Sequence, residues 1–168
     1  MKTNRILLTV ASLSLLAAAA VCGPHLAVAD ARADGPDGLG TWEGSGTTTE
    51  IDGKPSTPFT VVLTRSATTS GAVRADGKIK LSDGKEVVFW QETTEKPGGR
   101  FRLVSSLGAG GGCCFANGMC QSLEEREDGR GFASTIAKDG TDKIRVLVTE
   151  LQGGRAVRFH AQTLAKRR

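Results

Sequence analysis

Three cysteines lie close together in the chain, at Cys113, Cys114 and Cys120. In an oxidising compartment such thiols form disulfides, and either Cys113 or Cys114 is near enough in sequence to reach Cys120 across a short loop. A bond between the two adjacent cysteines would be strained. We therefore predict a disulfide between Cys120 and either Cys113 or Cys114, with a leftover thiol available for a mixed disulfide with another molecule.

A metal site is the alternative use of these thiols, with His160 completing the ligand set. Structural zinc sites arrange their ligands as two close pairs, C-x2-4-C followed by a second pair, and this spacing is absent. We therefore expect no metal centre. The glycine-rich run 108–112 lacks the Lys-Ser/Thr that closes a phosphate loop, and it predicts a connector between strands.

Acid–base catalysis has few candidate groups, because His160 is the one histidine after residue 29. Apolar and polar residues alternate over 157–162, and the apolar set should face the core, so the pattern predicts that His160 faces solvent. A Cys120–His160 pair is an open alternative that a disulfide would remove. The acidic run 124–128 is most simply a solvated hairpin, and hydrolase, metalloprotease and Walker motifs are absent. We predict no enzymatic activity.

The first 29 residues have the pattern of a secretory signal peptide. Lys2 and Arg5 precede an apolar run over 6–21, and the segment ends in the small-residue site 27–29. A lipoprotein signal acylated at Cys22 is the rival, but Val21 fits poorly before such a cysteine. We predict export to the periplasm or the extracellular space. Cleavage removes two of the 22 basic residues and none of the 18 acidic ones, so the charge does not indicate nucleic acid binding.

The rest of the chain divides into three parts. Residues 30–38 are rich in Asp, Ala, Gly and Pro and predict a disordered tether. The predicted barrel domain covers 39–165, and 166–168 form a basic tail. The absence of a second long apolar run predicts that no transmembrane helix is present.

Turn signals divide the predicted domain into short β-rich runs. Asp-Gly and Gly-Gly pairs favour the tight turns of β-hairpins. They are Asp52-Gly53, Asp76-Gly77, Asp83-Gly84, Gly98-Gly99, Asp128-Gly129, Asp139-Gly140 and Gly153-Gly154. We predict an all-β fold, an antiparallel up-and-down meander closed into a single small barrel of about nine or ten strands. An open sandwich is the second choice.

The opening of this domain, from Gly40 to Gly46, holds Trp42 among three glycines. Strand glycines mark bends, which a closing barrel requires. Gly40-Thr41-Trp42 resembles the Gly-x-Trp opening of the lipocalins and related fatty-acid-binding barrels. The resemblance implies that Trp42 closes the barrel base under a late-strand arginine, Arg155 or Arg158. Pro55 and Pro58 depart from the family by leaving little room for a helical lid.

The leading hypothesis is an exported barrel that binds a small apolar or amphipathic ligand in its interior. The predicted wall residues are large apolar side chains from the β-rich runs. They are Trp42, Val61, Leu63, Val88, Trp90, Phe101, Leu103 and Phe159.

Two alternatives stay open. The stretch from Gly40 to Gly46, with Pro58-Phe59, is similar to the start of the nitrobindin barrels, and the end from His160 to Arg167 loosely matches theirs. That resemblance implies haem binding with His160 as the axial ligand, although the family's Tyr-Pro-Thr-Ile segment is missing. The other alternative is a structural or interaction module of the cell envelope that has no small ligand and uses its leftover thiol for partner contact.

Overall fold

Ten strands joined by tight turns make up the part of the chain that the structure, a computed structural model, describes, which is residues 38–168. The predicted signal peptide and residues 30–37 of the tether lie outside it. The strands are β1 (Gly40–Glu50), β2 (Thr57–Ala67), β3 (Val73–Leu81), β4 (Glu86–Lys96), β5 (Arg100–Ser105), β6 (Ala109–Cys114), β7 (Met119–Glu125), β8 (Arg130–Lys138), β9 (Lys143–Gln152) and β10 (Arg155–Lys166).

Every strand pairs antiparallel with its sequence neighbours, and β10 returns to pair with β1. The prediction of an all-β, up-and-down closed barrel is therefore confirmed, with ten strands. Within residues 38–168 we find no helix that is long and apolar enough to cross a membrane. The last strand runs one residue beyond the predicted domain boundary, because Lys166 pairs with Trp42.

Most of the predicted turns connect consecutive strands. Gly53, Gly84, Gly129 and Gly140 have positive φ, which is the backbone conformation that tight turns require and that glycine adopts without strain. The Asp76-Gly77 turn is wrong, since both residues lie inside β3. The connector predicted over 108–112 is also wrong, because most of this run belongs to β6.

These two errors share a physical reason, which is that inward-facing glycines sit opposite aromatic rings or backbone carbonyls. Gly77 pairs with Phe89, and a side chain on Gly77 would collide with that ring. Gly112 stands in the same relation to Phe101 on β5, and a side chain there would also meet the carbonyl of Gln121. Glycine in these strands serves the bending that a barrel needs rather than a turn.

Glycines also form the seam where the barrel closes. Gly44 and Gly46 of β1 face the interior, and a Cβ on either would collide with a β10 carbonyl, of Thr163 and Ala161 respectively. The ring of Phe59 on β2 lies against Gly46, its cross-strand partner. Close approach of the two backbones at the seam therefore depends on the absence of side chains.

The core occupies the end of the barrel where β1 begins. Trp42, Phe59, Val61, Ile144, Val146 and Leu164 form its buried cluster. The indole Nε1 of Trp42 donates a hydrogen bond to the Gly38 carbonyl at 3.1 Å, and the Lys166 ammonium lies 6.0 Å from the centre of the ring system. Because Trp42 fills this end, we call it the base.

We predict that Gly77→Ala destabilises the protein by about 1–3 kcal/mol, the usual cost of overpacking, because its Cβ meets the Phe89 ring. Phe89→Leu should relieve most of that collision. Urea unfolding of the two single variants and the double variant then gives a coupling free energy of about 1 kcal/mol or more.

Gly44→Ala provides the matched control, because its new methyl group meets the Thr163 backbone carbonyl. Phe89→Leu should not rescue it. Additive effects of Gly77→Ala and Phe89→Leu would contradict the proposed contact.

Candidate functional site: the polar end of the barrel lumen

The inward face of β10 carries the site. Arg158, His160 and Leu164 pair across strands with Glu50, Thr48 and Gly44 of β1, and this face is the one that buries Leu164. The prediction that His160 faces solvent is therefore wrong. The alternation itself is real, but its apolar members lie outside, where Phe159 is 38% exposed.

Five inward-facing residues form a hydrogen-bonded group, which we call the lumen cluster: Thr48, Glu50, Glu150, Arg158 and His160. Arg158 donates to Glu50 at 2.6 Å and to Glu150 at 3.0 Å. His160 Nδ1 is hydrogen-bonded to the Thr48 hydroxyl at 2.9 Å, and its Nε2 lies 3.8 Å from a Glu150 oxygen. Strands β1, β9 and β10 thus hold these groups at the end of the lumen opposite Trp42.

The electrostatics of the cluster favour a neutral imidazole. Burial lowers the pKa of His160, an effect that the Glu150 carboxylate opposes in part. The hydrogen bond that Arg158 donates to Glu50 raises the pKa of Arg158, which stays charged. At neutral pH the cluster therefore holds two carboxylates against one guanidinium, a formal charge of −1. It can accept hydrogen bonds or attract a cation more readily than it can bind an anion.

A second acidic site, with one carboxyl group, lies farther round the same lumen. Glu124 is 7% exposed and accepts a hydrogen bond of 2.5 Å from the Ser105 hydroxyl. Ser105 Oγ also accepts hydrogen bonds from the Leu107 and Gly108 amides of the β5–β6 turn. Burial raises the pKa of Glu124. The predicted solvated hairpin is therefore wrong at this residue, because β7 points it inward.

Phe132 separates the two acidic sites on the inner wall. It pairs with Glu124 on one side and with Glu150 on the other. Mid-strand residues with inward side chains, Ser134 and Val148, stay partly exposed. Val148 also packs against the buried cluster of the base, so the filled part of the lumen extends to its level.

A disulfide cross-links two neighbouring strands of the barrel wall. Cys114 and Cys120 are cross-strand partners on β6 and β7 and form a disulfide, one of the two predicted pairings. Cys113 is also disulfide-bonded, so within residues 38–168 no cysteine is free. The predicted leftover thiol is therefore wrong. The disulfide also prevents Cys120 from acting as a thiolate partner of His160.

The predicted wall residues divide between the two faces. Trp42, Val61, Leu63, Phe101 and Leu103 point inward, as the register of their strands shows. The other three, Val88, Trp90 and Phe159, lie on the outer face, and the prediction that they line the lumen is wrong.

The error in β4 has a clear origin. Residues 87–90 are apolar on both faces, so alternation could not show which face is inside. Phe89 points inward over Gly77, whereas Val88 is 75% exposed. Trp90 lies under the guanidinium of Arg74, 4.9 Å from the centre of its ring system, and this cation–π contact explains how the outer wall carries a tryptophan.

The implied arginine at the base is also wrong. Arg155 is exposed at the start of β10, and Arg158 belongs to the lumen cluster at the opposite end. Lys166 lies over Trp42 instead. The register between β1 and β10, in which Lys166 pairs directly with Trp42, is what identifies this residue.

No family model matches the chain, and no curated protein does so either. Three solved structures share the fold. The S-type phycobiliprotein lyase CPES from Guillardia theta is 7% identical, with a TM-score of 0.64 over 79% of this chain and 90% of that one. A protein of unknown function from the DUF3598 family of Nostoc punctiforme is 14% identical, with a TM-score of 0.60 over 79% of this chain and 48% of that one, so it is matched over about half its length.

The third is Rv2717c from M. tuberculosis, at 12% identity and a TM-score of 0.58 over 77% of this chain and 92% of that one. At such identities the likeness shows a shared barrel fold. It does not support the lipocalin resemblance of the Trp42 segment in particular.

We predict that Cys114→Ala/Cys120→Ala lowers the free energy of unfolding by about 2 kcal/mol, the chain-entropy estimate for so short a loop. Sequence separation across the bond is six residues. Urea unfolding without reductant measures the change. Unaltered stability would show that the β6–β7 pairing, rather than the bond, holds this wall together.

His160 should make the stability of the protein depend on pH. Its folded pKa is lowered by burial, with Glu150, Arg158 and Glu50 facing it, so the unfolded state binds the proton first as the pH falls below 6.5. Relative to His160→Gln, the wild type should lose stability as the pH is lowered from 7 to 5.

Glu124→Gln provides a contrast of opposite sign. The folded pKa of Glu124 is raised, so the native state holds its proton more tightly than the unfolded state does, and this contribution is lost as the pH rises through the folded pKa. Relative to Glu124→Gln, the wild type should gain stability as the pH falls from 7 towards 4.5. If the difference in unfolding free energy between the wild type and either variant did not change with pH, the argument that burial shifts the pKa of that residue would be wrong.

Proposed function

We propose that this protein binds one small amphipathic ligand in the barrel lumen and does not catalyse a reaction. The observation that carries the proposal is the inward-facing lumen cluster, which lies at the accessible end of a barrel whose other end is packed. His160 is 25% exposed and Glu150 is 12% exposed in their side chains, so both can be reached while remaining largely desolvated. Ligand sites commonly combine apolar walls with a few such polar groups.

The walls beside the cluster suit the apolar part of a ligand. Phe132 and Val148 flank Glu150 and His160 in the strand register, and the rings of Phe59 and His160 form a T-shaped pair with their centres 6.4 Å apart. An apolar body can therefore rest against these side chains while its polar end reaches the cluster.

The charge of the cluster points to the chemistry of that polar end. Arg158 already donates to both carboxylates, and His160 is neutral, so the free capacity lies in carboxylate oxygens. A head group that donates hydrogen bonds or carries positive charge, such as a protonated amine, fits better than a carboxylate or phosphate. Nucleic acid is excluded from this proposal for the same reason.

The proposal of binding without catalysis rests on how His160 is held. Its Nδ1 is bonded to Thr48, its Nε2 faces a carboxylate that Arg158 also engages, and no thiolate partner is present beside it in the described barrel. One neighbour in fold is named as a phycobiliprotein lyase, but an identity of 7% carries no catalytic residue across.

Haem is a second candidate because His160 faces the lumen, as an axial ligand must. Its Nδ1 bond to Thr48 would orient the ring for coordination through Nε2. The surroundings do not fit, however, since a Glu150 oxygen lies 3.8 Å from Nε2 and the Arg158 guanidinium is bonded to the same carboxylate. A flat apolar slot is not formed there.

We also propose that the protein is exported. The Cys114–Cys120 disulfide supports an oxidising compartment, in line with the signal sequence predicted above.

Two dansyl probes of opposite charge test the ligand class. Dansylcadaverine carries an amine and dansylglycine a carboxylate on the same fluorophore, so they differ chiefly in head group. We expect the amine probe to bind the disulfide-bonded protein at least about tenfold more tightly, and Glu150→Gln to abolish this preference. Glu125→Gln on the outer face of β7 is the matched control and should leave it unchanged.

Tryptophan substitutions test whether the probes bind in the lumen. Ser134→Trp places an indole in the lumen and should block both probes, whereas Ala133→Trp places the same group on the outer wall and should not. Native mass spectra of the exported protein complete the test. A haem-sized adduct lost in His160→Ala would favour the second candidate, and a bare mass with no probe binding would overturn the carrier proposal in favour of an interaction module.

A further inference from the structure

A groove of about 990 Å³ crosses the outer wall of the barrel, separate from the lumen. Its lining comes from the six neighbouring strands β8, β9, β10, β1, β2 and β3. Most of the lining side chains occupy the alternate strand positions that point away from the lumen. This site therefore does not share its exposed groups with the lumen cluster.

One row of residues runs straight across the groove. Lys80, Thr60, Ser45, Thr163 and Arg145 are each the direct cross-strand partner of the next. The row has a cation at each end and hydroxyl groups between them. It spans four strand spacings, or roughly 19 Å measured along the wall.

A second, less polar row lies beside the first. On the four strands that the rows share, its residues are displaced by two positions from those of the first row. It consists of Pro58, Thr47, Ala161, Leu147 and Thr135, again as successive cross-strand partners. The groove therefore offers hydroxyl groups along one side and aliphatic surface along the other. A sugar ring has the matching pair of surfaces, since its edges carry hydroxyls and its faces carry C–H groups.

Gly46 lies between the two rows on β1, which explains why the wall is concave there. It contributes no side chain, and the space of its missing Cβ is taken by the Ala161 carbonyl. The two strands thus approach closely at this point, and small outward residues on either side keep the groove open.

The charged residues that line the groove are two cations. They are Lys80 and Arg145, and the lining includes no aspartate or glutamate. Arg145 donates from Nε and Nη2 to Asp139 beside the groove, so an anionic group would meet this guanidinium at Nη1. Glu86, the cross-strand partner of Lys80, binds Lys78 at 2.7 Å instead, which leaves the Lys80 ammonium available to a ligand.

We propose that this groove binds a segment of an acidic polysaccharide, with anionic groups at Lys80 and Arg145 and sugar rings over the hydroxyl and aliphatic rows. Two cations roughly 19 Å apart, with hydroxyl and aliphatic side chains between them, suit an extended chain that lays sugar rings along the groove between two of its anionic groups.

Isothermal titration of the whole exported protein with oligogalacturonate, a carboxylated oligosaccharide, tests the proposal. We expect binding that weakens with added salt and no binding of neutral maltotetraose. Lys80→Gln and Arg145→Gln should each lower the affinity about threefold, the effect of one exposed charge contact. Thr163→Glu, which places a carboxylate in the middle of the row, should lower it at least about tenfold.

The opposite wall provides matched controls. Arg102→Gln and Thr94→Glu change outward residues on β5 and β4 that are cross-strand partners, and they should leave the affinity unchanged. Equal losses in these controls would overturn the proposal, because they would indicate non-specific attraction. Equal binding of maltotetraose, tighter binding of a DNA duplex, or no binding of oligogalacturonate would overturn it as well. Thr163→Glu should not affect binding of the dansyl probes in the lumen. The groove proposal and the lumen proposal can therefore be contradicted separately.

Discussion

Closure of the barrel depends on the close approach of β1 and β10 at Gly44 and Gly46. The carbonyls of Thr163 and Ala161 occupy the space that side chains at these glycines would need, so the seam can be this tight only without them. Gly110 and Gly112 of β6 stand in the same relation to carbonyls of β7. Two bent regions on different parts of the wall curl one sheet into a tube, as closed barrels require.

The same glycines determine where the interior is filled. Rings of Phe59, Phe89 and Phe101 lie over glycine partners on the next strand, which brings large side chains into a lumen narrowed by bending. Packing then concentrates at the base around Trp42. The other end receives mostly polar inward residues, and this contrast along the barrel axis is what makes the lumen amphipathic.

Much of the fold could be predicted from the sequence, because Asp-Gly and Gly-Gly turns and β-rich runs are local signals. The turn prediction at Gly77 was wrong because this glycine makes room for the Phe89 ring on the next strand. The residues next to Gly77 in the sequence do not indicate that contact. The face of β10 was misassigned because its apolar residues lie outside, where a barrel wall can carry them. His160 could have been placed correctly only through its register with Thr48 on β1, a strand 112 residues away.

The lumen cluster is poorly explained by stability alone. Ion pairs that are partly removed from water contribute little net stability, because desolvation offsets their mutual attraction, and apolar residues of similar size often serve a fold as well or better. The base shows that this chain can pack a barrel end with apolar side chains, as around Trp42 and Leu164. An accessible cluster with one unbalanced negative charge instead suits the proposed recognition of a polar head group. The placement of these charges therefore favours the proposed binding site over a role in packing alone.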